Sequence, residues 1–595
     1  MPILLATNKS SASFQPFIDS LRVEAEYQTF TALLNCYLRE FAIVANQVMV
    51  SHEGNLPLAL TSKMLPGKVV TLTLPHEESL LAIKADRWSL LGRGRFNSAP
   101  FLKQFGRPWR PVSIMEAVNL LLREMAGELR QEINDELQQQ IENSIAVTHA
   151  FLNAPVSRKD DAFINSEQSL LWGHPFHPTP KSRSGVSMAE LLACAPEIGA
   201  EFPLFWFRID PALLQQRGSP GALSMLEMLA QGENCYPCHP WEVAHILRSP
   251  LYQAARQRGL ITPLGYRGLT MSPTSSVRTL YRADQPYFLK CSIHVRLTNC
   301  IRKNAWYELE SAVYLSEHLE ASFKRLERRY PAFRIMREPA ATSLDFSSVA
   351  TSGQEAEKRH LQECFGLLYR ENLPRNERRQ YDIVMAGAVF AWDRFGESLL
   401  TPRIQALASR RDITYQQAAL LWLSVYLEAI LPGILGAFFD EGIIFEPHLQ
   451  NTLIGLRQGL PQKVWIRDLE GTKLEPGCWP RYRLDGLSEH ARESVYYSRD
   501  KGWKRVAYCL LVNNLSEALF HLADGDRQLE QLGWDLLADK LSAWGHQPEI
   551  AATLAGHAIP SKNNLRTRLL QRADKQSDYT LIAQPLGRKH DTFTE

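Results

Sequence analysis

Three cations and several small hydrogen-bond donors fall within 28 residues, in Ser275-Ser276-Val277-Arg278-Thr279, Lys290 and Thr298-Asn299-Cys300-Ile301-Arg302. Guanidinium forks and a lysine point charge suit several oxyanions at once, as in a triphosphate or a polycarboxylate. A second cluster, Glu446-Pro447-His448-Leu449-Gln450-Asn451 with Arg467-Asp468 further on, supplies carboxylate and amide oxygens. Those are the hard ligands that Mg2+ takes on a nucleotide. Residues 452–454 and 464–466 read as two short strands of a hairpin, which would bring Asn451 and Asp468 to one end together. One cluster offers fixed cations and the other metal-holding oxygens, so together they describe a nucleoside triphosphate site. The sequence has no GxxxxGK[ST] and no GxGxxG, so the site is neither a P-loop nor a Rossmann site. Protein kinases also use an Asn and then an Asp, but the kinase catalytic-loop aspartate is missing here. Taken separately, an ordinary salt-bridged surface and a capped turn would contain the same residue types.

Two further motifs contain imidazoles. In Gly173-His174-Pro175-Phe176-His177-Pro178-Thr179-Pro180-Lys181 each proline restricts the residue before it. His174, His177 and Lys181 therefore ride on a stiff, extended loop, suited to binding an anion or metal or serving as a plain connector. Cys235-Tyr236-Pro237-Cys238-His239 matches the c-type haem attachment pattern. No second CxxC completes a zinc site, so the motif reads as a structural His-Pro-Trp turn with incidental cysteines.

These segments must be positioned by a chain of 595 residues, 45% hydrophobic and 22% charged, an ordinary globular composition. A net charge of +2 argues against a nucleic-acid coat or a polybasic membrane binder. Nine irregularly spaced cysteines and an N-terminus without a basic start and apolar run fit a cytoplasmic setting. Residues 17–42 have helical apolar spacing, and residues 111–149 read as one long helix broken at most at Gly127. Strands are expected near residues 47–50, 68–74, 261–265 and 287–293, and Arg302 lies at a helical-turn spacing from Thr298. Residues 418–439 are apolar but contain Glu428 and Pro432. They read as a buried helix ending near Leu431 and then a second apolar segment, with no membrane span.

In order along the chain stand His174-Pro-x-His177-Pro-x-x-Lys181, Ser275-Ser276-x-Arg278-Thr279, Lys290 with Thr298-Asn299 and Arg302, and Tyr369-Arg370-Glu371-Asn372. Glu446-x-His448-x-Gln450-Asn451 and Arg467-Asp468-x-x-Gly471 follow. With these motifs the chain resembles the NRPS-independent siderophore synthetases, the family of the aerobactin synthetases, over about residues 150–510. The resemblance implies an α+β cupped hand. Residues 1–148 would be a thumb, 149–372 fingers with mixed sheets, and 373–595 a largely helical palm with the Mg2+ motif. It also implies that ATP and Mg2+ adenylate a carboxylate of citrate or a citrate derivative. An amine or alcohol then attacks, giving an amide or ester with release of AMP and pyrophosphate. A kinase-like phosphotransferase releasing ADP is the alternative.

By position, the resemblance makes Arg278, Lys290, Arg302 and His448 catalytic, with His448 a candidate base for the amine. His174, His177, Lys181, Ser276, Thr279 and Gln450 would bind the nucleotide. Ser276, Arg278, Thr298, Asn299, His448 and Arg505 would hold the carboxylate substrate, and Glu446, Asn451 and Asp468 the Mg2+. A homodimer is a further implication, and no nucleic-acid partner is expected. The chain departs from the family's common spelling at Leu449, where glycine often follows the histidine.

Overall fold

The structure, a computed structural model, describes residues 19–51, 56–62, 64–297, 300–572 and 577–587. Thr298 and Asn299 lie outside the described residues. The fold is α+β, with its three largest apolar cores associated with three sheets.

The N-terminal part begins with helix Ser20–Tyr37, whose first turn is capped by the Asp19 carboxylate accepting from the N–H groups of Leu21 and Arg22. Its buried face, with Tyr27, Phe30, Leu33 and Leu34, joins a core shared with a six-stranded antiparallel sheet. The expected single helix over 111–149 is two helices, Ile114–Leu129 and Asp135–Asn153. The break lies not at Gly127 but after it, where Arg130 turns into the left-handed region at φ 52°. Gly127 remains helical, and a Cβ there would come within 2.9 Å of His76, so the glycine serves close packing. Asn134 then caps the second helix by accepting from Leu137 N–H, and its amide donates to the carbonyl of Arg568 at 2.8 Å.

That last contact belongs to a long-range closure. Leu565 and Leu569 are buried in the N-terminal core. The Glu40 carboxylate accepts the N–H groups of Asn564 and Leu565 at 2.9 Å and of Arg566 at 2.7 Å, capping helix Asn564–Leu569 from across the sequence. Burial pushes the Glu40 carboxyl up to about 7 despite these donors. The expected boundaries are therefore not clean. Residue 148 falls inside helix Asp135–Asn153, and the N-terminal core is completed by residues near the C-terminus.

The middle of the chain forms an eight-stranded sheet in the order Cys235–Cys238, Phe202–Ile209, Ile261–Pro273, Thr279–Tyr281, Tyr287–Cys291, Leu367–Glu371, Ala340–Leu344, Leu214–Gly218. Every pairing in it is antiparallel, and the parallel pairing of this region is made by Phe333–Ile335 in a separate sheet. Cys235 and Cys238 lie three apart in an extended strand, so their side chains leave on opposite faces, and both thiols are free. His239 Nδ1 accepts the N–H of Trp241 at 3.1 Å, which closes the His-Pro-Trp turn as expected.

His239 is fully buried, and burial lowers its pKa from 6.5 to about 3. The unfolded chain therefore takes a proton first as pH falls. Stability is complete above about 6.5 and declines from there down towards 3. Between pH 8 and pH 5 this residue should remove roughly 2 kcal/mol of stability. His239→Asn keeps an acceptor for the turn and lacks the titration. In urea melts at the two pH values its loss should be smaller than that of the parent by about this amount. Equal losses would refute the assignment.

The C-terminal part holds a four-stranded sheet, Phe333–Ile335, Leu460–Ile466, Thr452–Arg457, Asp382–Met385. Its first pair is parallel and the others antiparallel, so the mixed sheet lies here. Because Phe333–Ile335 pairs with residues 464–466, the sheet bridges the boundary expected at 372. Helix Tyr415–Phe439 packs on this sheet and is started by a capping box of Thr414 and Gln417. It continues through Pro432, where an end was expected. Gly433 and Gly436 let Phe333 and Tyr330 approach so closely that a Cβ would lie 2.2 and 2.6 Å away, and this packing holds the helix together past the proline. The helix is long and apolar enough to cross a membrane, but 67% of that stretch is buried inside the largest core.

Candidate functional site

The cationic wall is built on the eight-stranded sheet. Strands Ile261–Pro273 and Thr279–Tyr281 are joined by a tight loop in which Thr274 N–H donates to Thr279 O and Val277 N–H to Thr274 O, both at 2.8 Å. Ser276 Oγ accepts Thr279 N–H at 3.1 Å. Val277 sits at φ 68°, an unfavourable conformation for a β-branched residue, held by its burial and these bonds. Lys290 lies opposite Thr279 and Leu368 on neighbouring strands, so Arg370 projects from the same face one diagonal step away.

The acidic wall comes from the hairpin Thr452–Arg457 and Leu460–Ile466, whose register pairs Thr452 with Ile466 as expected. Arg467 N–H donates to Asn451 O, and the chain then turns sharply at Asp468, φ 83°. Lys290 Nζ lies 2.6 Å from Asp468 Oδ1 and 2.6 Å from Glu470 Oε2. Arg370 Nη2 reaches Asp468 Oδ1 at 3.1 Å and Glu338 Oε1 at 2.7 Å, while Arg278 Nη2 stands 3.8 Å from Glu470 Oε2. Three cations and three carboxylates thus alternate. Burial alone would raise the Asp468 pKa, but Lys290, Arg370 and Arg278 hold it well below the usual carboxylate range. Glu470 is likewise depressed by Lys290 and Arg278 against its burial. Glu338, fully buried, is raised by that burial in spite of Arg370.

A third group closes the site. Glu446 pairs with Arg505, which also donates to Tyr497 Oη at 2.9 Å. A Cβ on Gly471 would lie 3.1 Å from the Glu446 carboxylate, so the glycine leaves room for Glu446 beside the Asp468 turn. The π-helical segment Tyr508–Leu515 presents Asn513, whose Oδ1 accepts Leu449 N–H at 3.0 Å and whose Nδ2 is 2.7 Å from His174 Nε2. Glu167 ties the walls together. It accepts from Ser275 Oγ at 2.8 Å and pairs with Arg467 at 2.6 Å, while Arg467 holds Gln450 O.

The imidazoles share one device. Nδ1 of His174 accepts Phe176 N–H at 3.0 Å, Nδ1 of His177 accepts Thr179 N–H at 3.2 Å, and Nδ1 of His448 accepts Asn451 N–H at 3.3 Å. With Nδ1 accepting, the neutral rings of His177 and His448 carry their proton on Nε2, whereas Nε2 of His174 faces the amide donor of Asn513. Burial, then neighbouring cations, lowers His174 to about 3. Burial likewise lowers His448 to about 4 against the pull of Asp468.

These groups surround one cleft of about 1760 Å³, lined by His174, His177, Lys181, Ser276, Arg278, Lys290, Arg302, Glu446, His448, Gln450, Asp468 and Arg505. Its volume exceeds that of an ordinary single-ligand pocket, so more than one substrate fits. Some expected residues are placed differently. Thr279 and Asn451 are buried behind the wall. Lys181 reaches the cleft, but its ammonium is committed to Glu197 at 2.7 Å and to Leu170 O, so it anchors the His-Pro loop. Arg302 is exposed on a strand, Cys300–Arg302, not on a helical turn. Leu449 is buried, so the departure from glycine alters packing. Glu470, Glu338 and Glu167 carry no motif of their own in the sequence, and Arg370 stands there only within Tyr369-Arg370-Glu371-Asn372. The one local signal was Glu470, two residues after Asp468.

Residues 162–391 match the IucA / IucC family, and residues 420–577 match the family described as ferric iron reductase FhuF-like transporter. The chain is 30% identical over 479 residues to L-2,3-diaminopropanoate–citrate ligase of Staphylococcus aureus, covering 77% of this chain and 80% of that protein. It is 27% identical over 598 residues to the rhizobactin siderophore biosynthesis protein RhbC of Rhizobium meliloti, covering 94% and 97%. The ATP-bound aerobactin synthetase IucA from a hypervirulent pathotype of Klebsiella pneumoniae superposes with a TM-score of 0.80 at 22% identity, over 94% of this chain and 99% of that one. The relatives define the chain as a ligase. It belongs to the IucA / IucC family of siderophore synthetases.

Proposed function

We propose that the protein adenylates a carboxylate of citrate or a citrate derivative with ATP and condenses it with an amine or alcohol. The observation that carries this reading is that Arg278, Lys290 and Arg302 line one cleft together with Glu446 and Asp468. A substrate carboxylate oxygen attacks the α-phosphorus and pyrophosphate leaves. An amine nitrogen then attacks the acyl carbon, AMP leaves, and the nitrogen loses one proton to form the amide. The first step forces two anions together, and cations fixed in advance on a rigid sheet lower that barrier. Arg302, exposed at the cleft, and Arg505 suit the carboxylate substrate.

Glu446 and Asp468 supply hard carboxylate oxygens to the same cleft, and Gly471 leaves room for the Glu446 carboxylate. This donor set fits Mg2+, with buried Asn451 supporting from behind. When bound, the metal ion would screen phosphate charge. His448 takes a different role from the base first considered. Its Nδ1 is occupied and its Nε2 already carries a proton, so it donates a hydrogen bond to an anionic oxygen. Lys181 and Thr279 support the loops that carry His177 and Ser276.

With citrate, ATP, Mg2+ and a panel of diamines and amino alcohols, we expect AMP to accumulate in step with an amide or ester found by mass spectrometry. Hydroxylamine should capture a citryl hydroxamate. ADP in place of AMP would overturn the reading in favour of the phosphotransferase that the Asn451 and Asp468 hairpin also permits.

A further inference from the structure

Away from the cleft, a second group of side chains remains without a task. His294 lies on strand Ile293–Leu297, and His360 and Cys364 lie one turn apart on helix Glu355–Cys364. One potential ligand atom from each lies within 4.8 Å of the other two. His245, on helix Val243–Arg248, brings its ring centroid to 5.0 Å from that of His294, and the rings of His294 and His360 are 4.6 Å apart. None of the four lines the cleft.

The arrangement has an oriented interior. Glu242, fully buried, accepts the backbone N–H of His294 and lies 2.6 Å from His294 Nδ1. This fixes the ring and leaves Nε2 as its other polar atom. The His294 side chain is only 6% exposed, and its Nε2 is buried with no hydrogen-bond partner. Such an orphan is costly unless something takes its lone pair. A carboxylate holding the far nitrogen of an imidazole is the usual outer support of a metal-binding histidine. Cys364 Sγ is buried and stands 3.8 Å from His294 Nδ1, on the side of the ring that Glu242 holds, so the thiol, the carboxylate and the imidazole form one cluster.

We propose that Cys364, His360, His294 through Nε2, and His245 form a site for a divalent transition ion of zinc-like preference, distinct from the Mg2+ position in the cleft. The thiol releases its proton to solvent on binding, and the thiolate and Glu242 together balance the ion's charge. The other charges facing the cluster are Arg248, Glu357 and Lys303, the last paired with Glu363 at 3.1 Å. The ion would pin helix Glu355–Cys364, which leads into the strand of Arg370, to strand Ile293–Leu297, which pairs with the strand of Arg302. Asn304 already reinforces that junction through Gly366 O at 2.9 Å.

The test is Co2+ titration of the chelator-stripped full-length protein, with total metal measured on the untreated protein. We expect one equivalent of Co2+ to give a thiolate charge-transfer band in the near ultraviolet with tetrahedral visible bands, and Zn2+ to displace it. Cleft carboxylates that bind Co2+ give no thiolate band, so failure here leaves the proposed adenylation untouched. Cys364→Ser should remove the charge-transfer band, and the exposed-cysteine variant Cys478→Ser should keep it. His360→Gln and Glu242→Gln should each weaken Co2+ binding about tenfold to a hundredfold. A wild-type protein that gives no thiolate band, or a band that survives in folded Cys364→Ser, overturns the proposal.

Discussion

Asp468→Asn lowers the rate of citrate-dependent AMP release by about 10²–10³ and raises the Mg2+ concentration needed for half-maximal rate. The amide is the informative substitution because Asn tolerates the left-handed backbone that φ 83° requires, whereas alanine would add backbone strain to the loss of charge. Removing the carboxylate leaves Lys290 with Glu470 and Arg370 with Glu338, so the walls stay individually paired. The melting profile should therefore shift far less than the rate. If Asp468→Asn were folded and kept the parent rate at limiting Mg2+, the acidic wall would not be the metal-holding wall.

Arg370→Met produces the opposite pattern, a large loss of stability. Arg370 donates through both Nε and Nη2 to one oxygen of Glu338, at 2.9 and 2.7 Å, and Glu338 is fully buried. Taking away Arg370 leaves the Glu338 charge buried with only the Leu469 N–H and the more distant Lys290 to offset it, at a cost of about 3–5 kcal/mol. Burial already raises the Glu338 carboxyl, so in the variant it takes a proton more readily still. The deficit should be larger at pH 8 than at pH 5, because lowering the pH favours the neutral form of a carboxyl whose pKa burial raises. The double variant Arg370→Met with Glu338→Leu should recover most of the loss. Urea melts at two pH values test both statements. A single variant as stable as the parent would show that the buried pair does not hold the fold together.

Much of the cleft was legible in the sequence because its residues lie at the ends of regular elements. The strand-like run before Lys290 and the hairpin spacing between Asn451 and Asp468 follow from side-chain alternation and turn chemistry alone. The partners that neutralise them were not legible. Glu338 and Glu167 sit alone in sequence, and only the folded chain shows that each is buried against a specific arginine. The tautomer of His448 was hidden for a related reason, since it follows from the bond that Nδ1 accepts from Asn451 N–H. Helix ends misled where tertiary packing prevailed. Pro432 continues a helix because Phe333 and Tyr330 brace it, and the true break at Arg130 carries no glycine.

The cap that Glu40 places on residues 564–566 also has a consequence in time. A ribosome delivers the N-terminal sheet and its helices long before it delivers Leu565 and Leu569, which complete their core. Until then Glu40 lacks its three amide donors, and the apolar face around Tyr37 and Phe41 lacks its cover. Within this chain an early-made core is thus sealed late. Over that interval the nascent chain offers an incomplete core of the kind that chaperones hold and that aggregates when crowded.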